Sequence, residues 1–152
     1  MHVAGDTPLT ISRPTLCSLP VETATITVVC SSGSRFTAEW TGVPLSALVE
    51  EADVPPSTTH LAISSSDGFR AVVPVMDAME GMIAYLRDGV GIGTVDEYGN
   101  RFVSPSISGT RDVKGVTRIE PLSLSPGEDP ESHEELFPDG DRFSANRYDG
   151  EN

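Results

Sequence analysis

Thr23-Ala-Thr-Ile-Thr-Val-Val-Cys30 alternates threonine with small or aliphatic residues and then ends on a thiol. Period-two alternation of β-branched residues is the pattern of a half-buried strand. It predicts a strand over residues 22–30, with Ala24, Ile26 and Val28 facing inward and Thr23, Thr25 and Thr27 facing water. A cysteine at the end of such a strand faces a loop rather than a core, so its thiol is chemically usable. Ten residues later comes Trp40-Thr-Gly-Val-Pro-Leu-Ser-Ala-Leu-Val49. Pro44 suits a first helical position, and Leu45, Leu48, Val49 and Ala52 make one apolar stripe of a short helix. Pro55-Pro56 ends it. Residues 31–38, with Gly33 and Arg35, read as a polar loop between the two segments.

Outward from this pair, the chain reads as short strands with polar connections. Residues 60–64, 69–73, 82–86, 101–103 and 116–120 are apolar or alternating runs of strand length. Asp67-Gly68 and Asp88-Gly89 mark hairpins, because type I′ turns need φ > 0 at both central positions. Residues 74–79 predict a second short helix, and residues 15–20 a turn or helical hook. Residues 1–12 are a polar lead-in, residues 89–99 a glycine-rich irregular stretch, and residues 104–113 a polar loop around Gly109. No internal repeat is present. Many short strands with two or three short helices indicate an α+β domain, mostly β, with a mixed sheet. That domain spans residues 1–124. From Ser125 onward, nine of the 23 acidic residues fall among few aliphatic ones. Such a segment buries too little apolar surface to offset its chain entropy, so residues 125–152 read as a mobile acidic tail.

Net charge is -13, from 23 acidic and 10 basic residues, and Lys114 is the single lysine beside nine arginines. Acid excess with almost no lysine reads as a halophile's solvated surface. A nucleic-acid partner is excluded by the lack of any basic run. Two cysteines make no disulfide framework, and Cys17 reads as a buried small hydrophobe. His2, His60 and His133 lack the spacing of a zinc site. No apolar run approaches the ~20 residues that span a bilayer, nor does the N-terminus read as an export signal. The expectation is a cytoplasmic protein with no membrane partner.

The order strand, Cys30, glycine-containing loop, then Trp40 to Ala52 resembles the molybdopterin-binding domain of the sulfite oxidase family. The resemblance runs through Ser66-Asp-Gly-Phe-Arg70 to Val113-Lys-Gly-Val-Thr-Arg-Ile-Glu120. The composition would make this a small haloarchaeal-type member. The resemblance implies a molybdenum–molybdopterin cofactor, with Cys30 as the thiolate ligand to the metal and the catalytic residue. It implies Lys114, Arg111, Arg101, Arg35 and Gly109 around the cofactor and its phosphate, and Arg70 toward an anionic small-molecule substrate. It further implies oxygen-atom transfer coupled to an electron-transfer partner. Tyr98 and Asn100 stand where the family has His and Pro, and Gly115 where it has Trp. The alternative is a non-catalytic cofactor-binding or interaction module that keeps the scaffold; a third reading is an acidic domain without a ligand.

A chain of charge -13 repels itself, and salt screens that repulsion. Unfolding midpoints should therefore be higher in molar than in millimolar potassium chloride. Equal midpoints would remove the halophilic reading.

Overall fold

The computed structural model describes residues 1–29, 33–95, 99–107 and 111–136. Ten strands and four short helices follow in the order β1 (His2–Val3), β2 (Leu9–Thr10), α1 (Arg13–Ser18), β3 (Glu22–Val29), β4 (Arg35–Pro44), α2 (Leu45–Glu51), β5 (His60–Ser65), β6 (Arg70–Pro74), α3 (Val75–Ala78), β7 (Met82–Arg87), β8 (Val90–Gly91), α4 (Ile92–Val95), β9 (Arg101–Val103) and β10 (Val116–Leu122). One sheet has the order β2-β1-β10-β5-β6; the other runs β3-β4-β7-β8, with β9 also on β7. Among the described residues only β1 and β10 pair in parallel, which makes the first sheet mixed. The expected α+β, mostly β class is what the chain adopts.

Both sheets bury one face in the same core. Leu61, Ile63, Val73 and Ile119 come from the first sheet, Val43, Ile83 and Phe102 from the second, and Leu45 and Leu48 from α2. A smaller apolar cluster covers the other face of the second sheet, built from Ile26, Val28, Ala38, Trp40, Met82, Ala84 and Val103. The β4–β7 ladder shifts register between Thr41 and Gly42. A Cβ on Gly42 would come within 2.1 Å of the Ile83 carbonyl oxygen, so only glycine lets these backbones approach.

Several expectations change. Residues 35–38 are the start of β4 rather than loop, because Phe36, Ala38 and Trp40 alternate inward while Thr37 and Glu39 stay outside. Pro44 precedes the helix as its cap instead of occupying its first turn. The lead-in is structural: β1 lies on the last strand, Val3 is fully buried, and the Met1 ammonium donates to the Ile11 carbonyl at 2.9 Å. Cys17 is exposed on α1, where its neighbour Leu16 takes the core position. Asp88 and Gly89 both have positive φ, as a type I′ turn requires. At Asp67-Gly68 only Gly68 does; the Asp67 carboxylate instead accepts from the Phe69 N–H and the Ser65 hydroxyl.

The largest change concerns the acidic tail. Residues 125–136 are docked on the domain, not detached from it. The strand β6 is an edge, and an edge exposes backbone donors that must find acceptors. Arg70 exchanges two backbone hydrogen bonds with Glu135, both at 2.8 Å, and the Val72 N–H donates to the Glu134 carboxylate at 2.8 Å. Pro74, next on that side, has no N–H. A 3-10 turn at Pro130–His133 and the half-buried Leu136 complete this strap. Residues 137–152 lie outside the described residues.

Glu128 is held below the usual carboxylate range by the Ser125 N–H and by His133. A depressed carboxylate stabilises the fold above its ordinary pKa and stops doing so as pH falls through the lowered value. The strap should therefore loosen in acid, read as lower protection factors (exchange relative to the intrinsic rate at each pH) for the Val72 and Glu135 amides below about pH 4. Glu134→Ala removes an almost fully buried acceptor and should cost about 2 kcal/mol in denaturant unfolding. An unchanged midpoint would show that the strap contributes nothing.

Candidate functional site

The chain pairs residues 100–102 with residues 113–115. The Phe102 N–H donates to the Val113 carbonyl at 2.8 Å and the Gly115 N–H to the Asn100 carbonyl at 2.9 Å. Arg101 and Lys114 lie between these bonds as a directly opposed antiparallel pair. Opposed residues carry their side chains on one face. The bridge is fixed by Asn100, whose side-chain oxygen accepts from the Val116 N–H at 2.7 Å while its amide donates to the Val116 carbonyl. Gly115 has φ +66°, in the left-handed region that a Trp at this position would strain to adopt. Asn100 and Gly115 thus fix the bridge that sets Lys114 opposite Arg101.

Arg101 is only 6% exposed. Its ladder partner on β7 is Ala84, which leaves room for a long side chain. The guanidinium carbon lies 5.9 Å from the Phe36 ring and 6.0 Å from the Trp40 ring. Arg87 covers the same rings at 4.5 and 5.6 Å. The rings themselves are 6.2 Å apart and tilted by 52°. Trp40 is held by its indole N–H donating to the Ile26 carbonyl at 3.3 Å. These ring faces return part of the cost of burying a cation. Yet Arg101 Nε and Nη2 are buried without a hydrogen-bond acceptor among the described residues. Native structures rarely leave buried donors unmet, and such an exception asks for an acceptor beyond the described residues.

The remaining expected residues divide. Arg111 is committed to the strap: its Nε and Nη2 donate to both Glu134 oxygens, at 2.8 and 2.6 Å. The hydrogen bond to Glu134 raises the Arg111 pKa above its already high ordinary value, against a smaller opposing effect of burial. Arg70 donates to the His133 carbonyl at 3.0 Å and to Glu120 at 3.1 Å. In this arrangement Arg111 is paired with Glu134 of the strap, and Arg70 with Glu120 of β10 and the His133 carbonyl. Arg35 is exposed on the face of β4 that carries Thr37 and Glu39, opposite Phe36 and Trp40. Cys30 and Gly109 lie outside the described residues; the strand leading to Cys30 ends at Val29, opposite Arg35. Arg87 and Phe36 were not singled out in the sequence. Their signal was the inward alternation of Phe36 and Trp40, which the loop reading of residues 31–38 concealed. Among the described residues, no three His, Cys, Asp or Glu side chains gather as a metal site.

The family model described as the oxidoreductase molybdopterin binding domain matches residues 1–127. The chain belongs to that family. Among solved structures, the sulfane dehydrogenase SoxCD from Paracoccus pantotrophus superposes with a TM-score of 0.74 at 23% identity, over 84% of this chain and 39% of that one. At that identity the likeness is one of fold, and this chain spans well under half of that protein's chain. No curated protein matches the sequence. A buried guanidinium with two N–H groups that no described residue accepts, on a bridge opposite a lysine, is a donor set that fits an anionic group.

A side chain kept for an external acceptor should be no asset to the empty protein. Arg101→Met preserves length and ring contact while removing the buried charge, so the metal-free variant should be as stable as wild type or more so. A loss above about 2 kcal/mol would mean that Arg101 is a structural residue with internal acceptors.

Proposed function

We propose that this domain holds a molybdenum–molybdopterin cofactor and serves an oxidoreductase that transfers an oxygen atom to or from a small anionic substrate. Membership of the molybdopterin-binding family supports the cofactor. The observation that carries the reading is the buried, partly unsatisfied guanidinium of Arg101 opposite Lys114. When bound, the cofactor would supply redox chemistry and Lewis acidity.

The chain's own residues would bind and enclose it. Cys30 would give a thiolate, a soft donor that suits a redox-active metal through changes of oxidation state. Arg101 would donate from Nε and Nη2 to an anionic group of the cofactor, with the phosphate as the acceptor its planar fork fits. Lys114 would add a compact charge from the same face, and the backbone around Gly109 further N–H donors. Phe36 and Trp40 would keep water from the guanidinium and so strengthen each of its hydrogen bonds. Arg35 remains a candidate from the outer end of β4. Arg70 would reach a substrate only if the strap moved away from it. An electron-transfer partner would be needed to return the metal to its starting state.

Elemental analysis for molybdenum, with pterin fluorescence, on chain expressed in a cofactor-producing host tests this reading. Wild type and Cys17→Ser should carry metal, Cys30→Ser should lose the thiolate-to-molybdenum absorption, and Lys114→Gln should lower pterin content while remaining folded. Full occupancy in Cys30→Ser would contradict the ligand role. Cofactor without turnover would favour the non-catalytic module.

A further inference from the structure

The open edge of the second sheet points to an interface with another copy of this chain. Edges among the described residues are short or closed, with one exception. The strands β2 and β8 have two residues each, and β6 is covered by the strap and Pro74. The strand β3 is eight residues long and among the described residues pairs only with β4, in unbroken register from Glu22 to Val29. It carries none of the devices that protect an edge: no proline, no lysine, no bulge.

We propose that two copies pair antiparallel through β3, about a two-fold axis at Thr25. The sequence is self-complementary in that register. Thr23 falls opposite Thr27 of the other copy, and Ala24 opposite Ile26, so hydroxyls meet hydroxyls outside and apolar groups meet inside. The same threonines already form such a ladder with β4, where Thr23 bonds Thr41 at 3.0 Å and Thr27 bonds Thr37 at 2.8 Å. The register also explains an exposed aliphatic residue. Val21, 57% exposed, falls opposite the half-buried Val29 of the other copy.

Charge selects this edge over the rest of the surface. A molecule of net charge -13 meets a copy of itself most readily where it carries no carboxylate, and residues 23–29 carry none. Glu22 would face Val28, not a second acid. The next carboxylate inward is Glu39, beside Thr25 on β4. Glu39 and its symmetry mate would stand three strand spacings apart, about 14 Å. That exceeds the screening length of about 8 Å at physiological ionic strength. Salt should therefore promote the association, whereas it would weaken one built on ion pairs.

Sedimentation equilibrium of the full chain, from micromolar to near-millimolar concentration in molar potassium chloride, tests the proposal. The expected result is a concentration-dependent rise from 16.1 kDa toward twice that mass, weaker in millimolar salt. Thr25→Lys sets two ammonium groups opposite each other at the axis and should leave a folded monomer. In a Cys17→Ser background, Thr25→Cys should cross-link into a dimer on oxidation, while the background alone does not. A wild-type monomer at every concentration would overturn the proposal. So would a dimer that persists in Thr25→Lys, or failure of Thr25→Cys to cross-link.

Discussion

A guanidinium buried against two aromatic rings, with two N–H groups that find no acceptor among the described residues, is the constraint around which this domain is organised. Burying a charge is costly unless it is paired and hydrogen-bonded, and ring faces return only part of that cost. The scaffold accepts the remainder at Arg101 and builds accordingly. Ala84 makes the room, Asn100 and Gly115 fix the turn, and the resulting bridge sets Lys114 opposite.

The chain treats its other arginines differently, and the contrast sharpens the assignment. Arg70, Arg111 and Arg118 each lie beside a carboxylate, at 3.1, 2.6 and 3.2 Å. In a protein with more than twice as many acids as bases, such pairing is what composition leads one to expect. Arg87 and Arg101 instead share the rings of Phe36 and Trp40 and have no carboxylate within salt-bridge distance among the described residues. The strap achieves the first kind of pairing. Its Glu134 side chain, 4% exposed, accepts from Arg111 and also closes the edge of β6.

Local pattern made much of the fold legible. The alternation of β3, the helical stripe of Leu45 and Leu48, and the Asp88-Gly89 turn are all short-range signals, and each is where the sequence put it. The start of β4 was hidden because Gly33 and Ser34 precede it, Arg35 opens it, and its inward residues alternate with polar ones. The strap was hidden for a different reason. Its partners lie 20 to 65 residues away, and no window of the sequence displays them together. The pairing of Arg111 and Arg70 with the strap is hidden for the same reason. Arg101 and Lys114 were named by family resemblance; that they face each other depends on the bridge between segments, which spacing alone does not reveal.

The most direct measurement is calorimetric titration of the metal-free chain with inorganic pyrophosphate, in wild type and in Arg101→Met. If Arg101 is held in reserve for an anionic cofactor, wild type should bind the anion with measurable heat. Arg101→Met should then lose at least about tenfold in affinity, the 1.4 kcal/mol of a single charge-assisted hydrogen bond. Equal binding by both proteins, or none by wild type, would contradict the account.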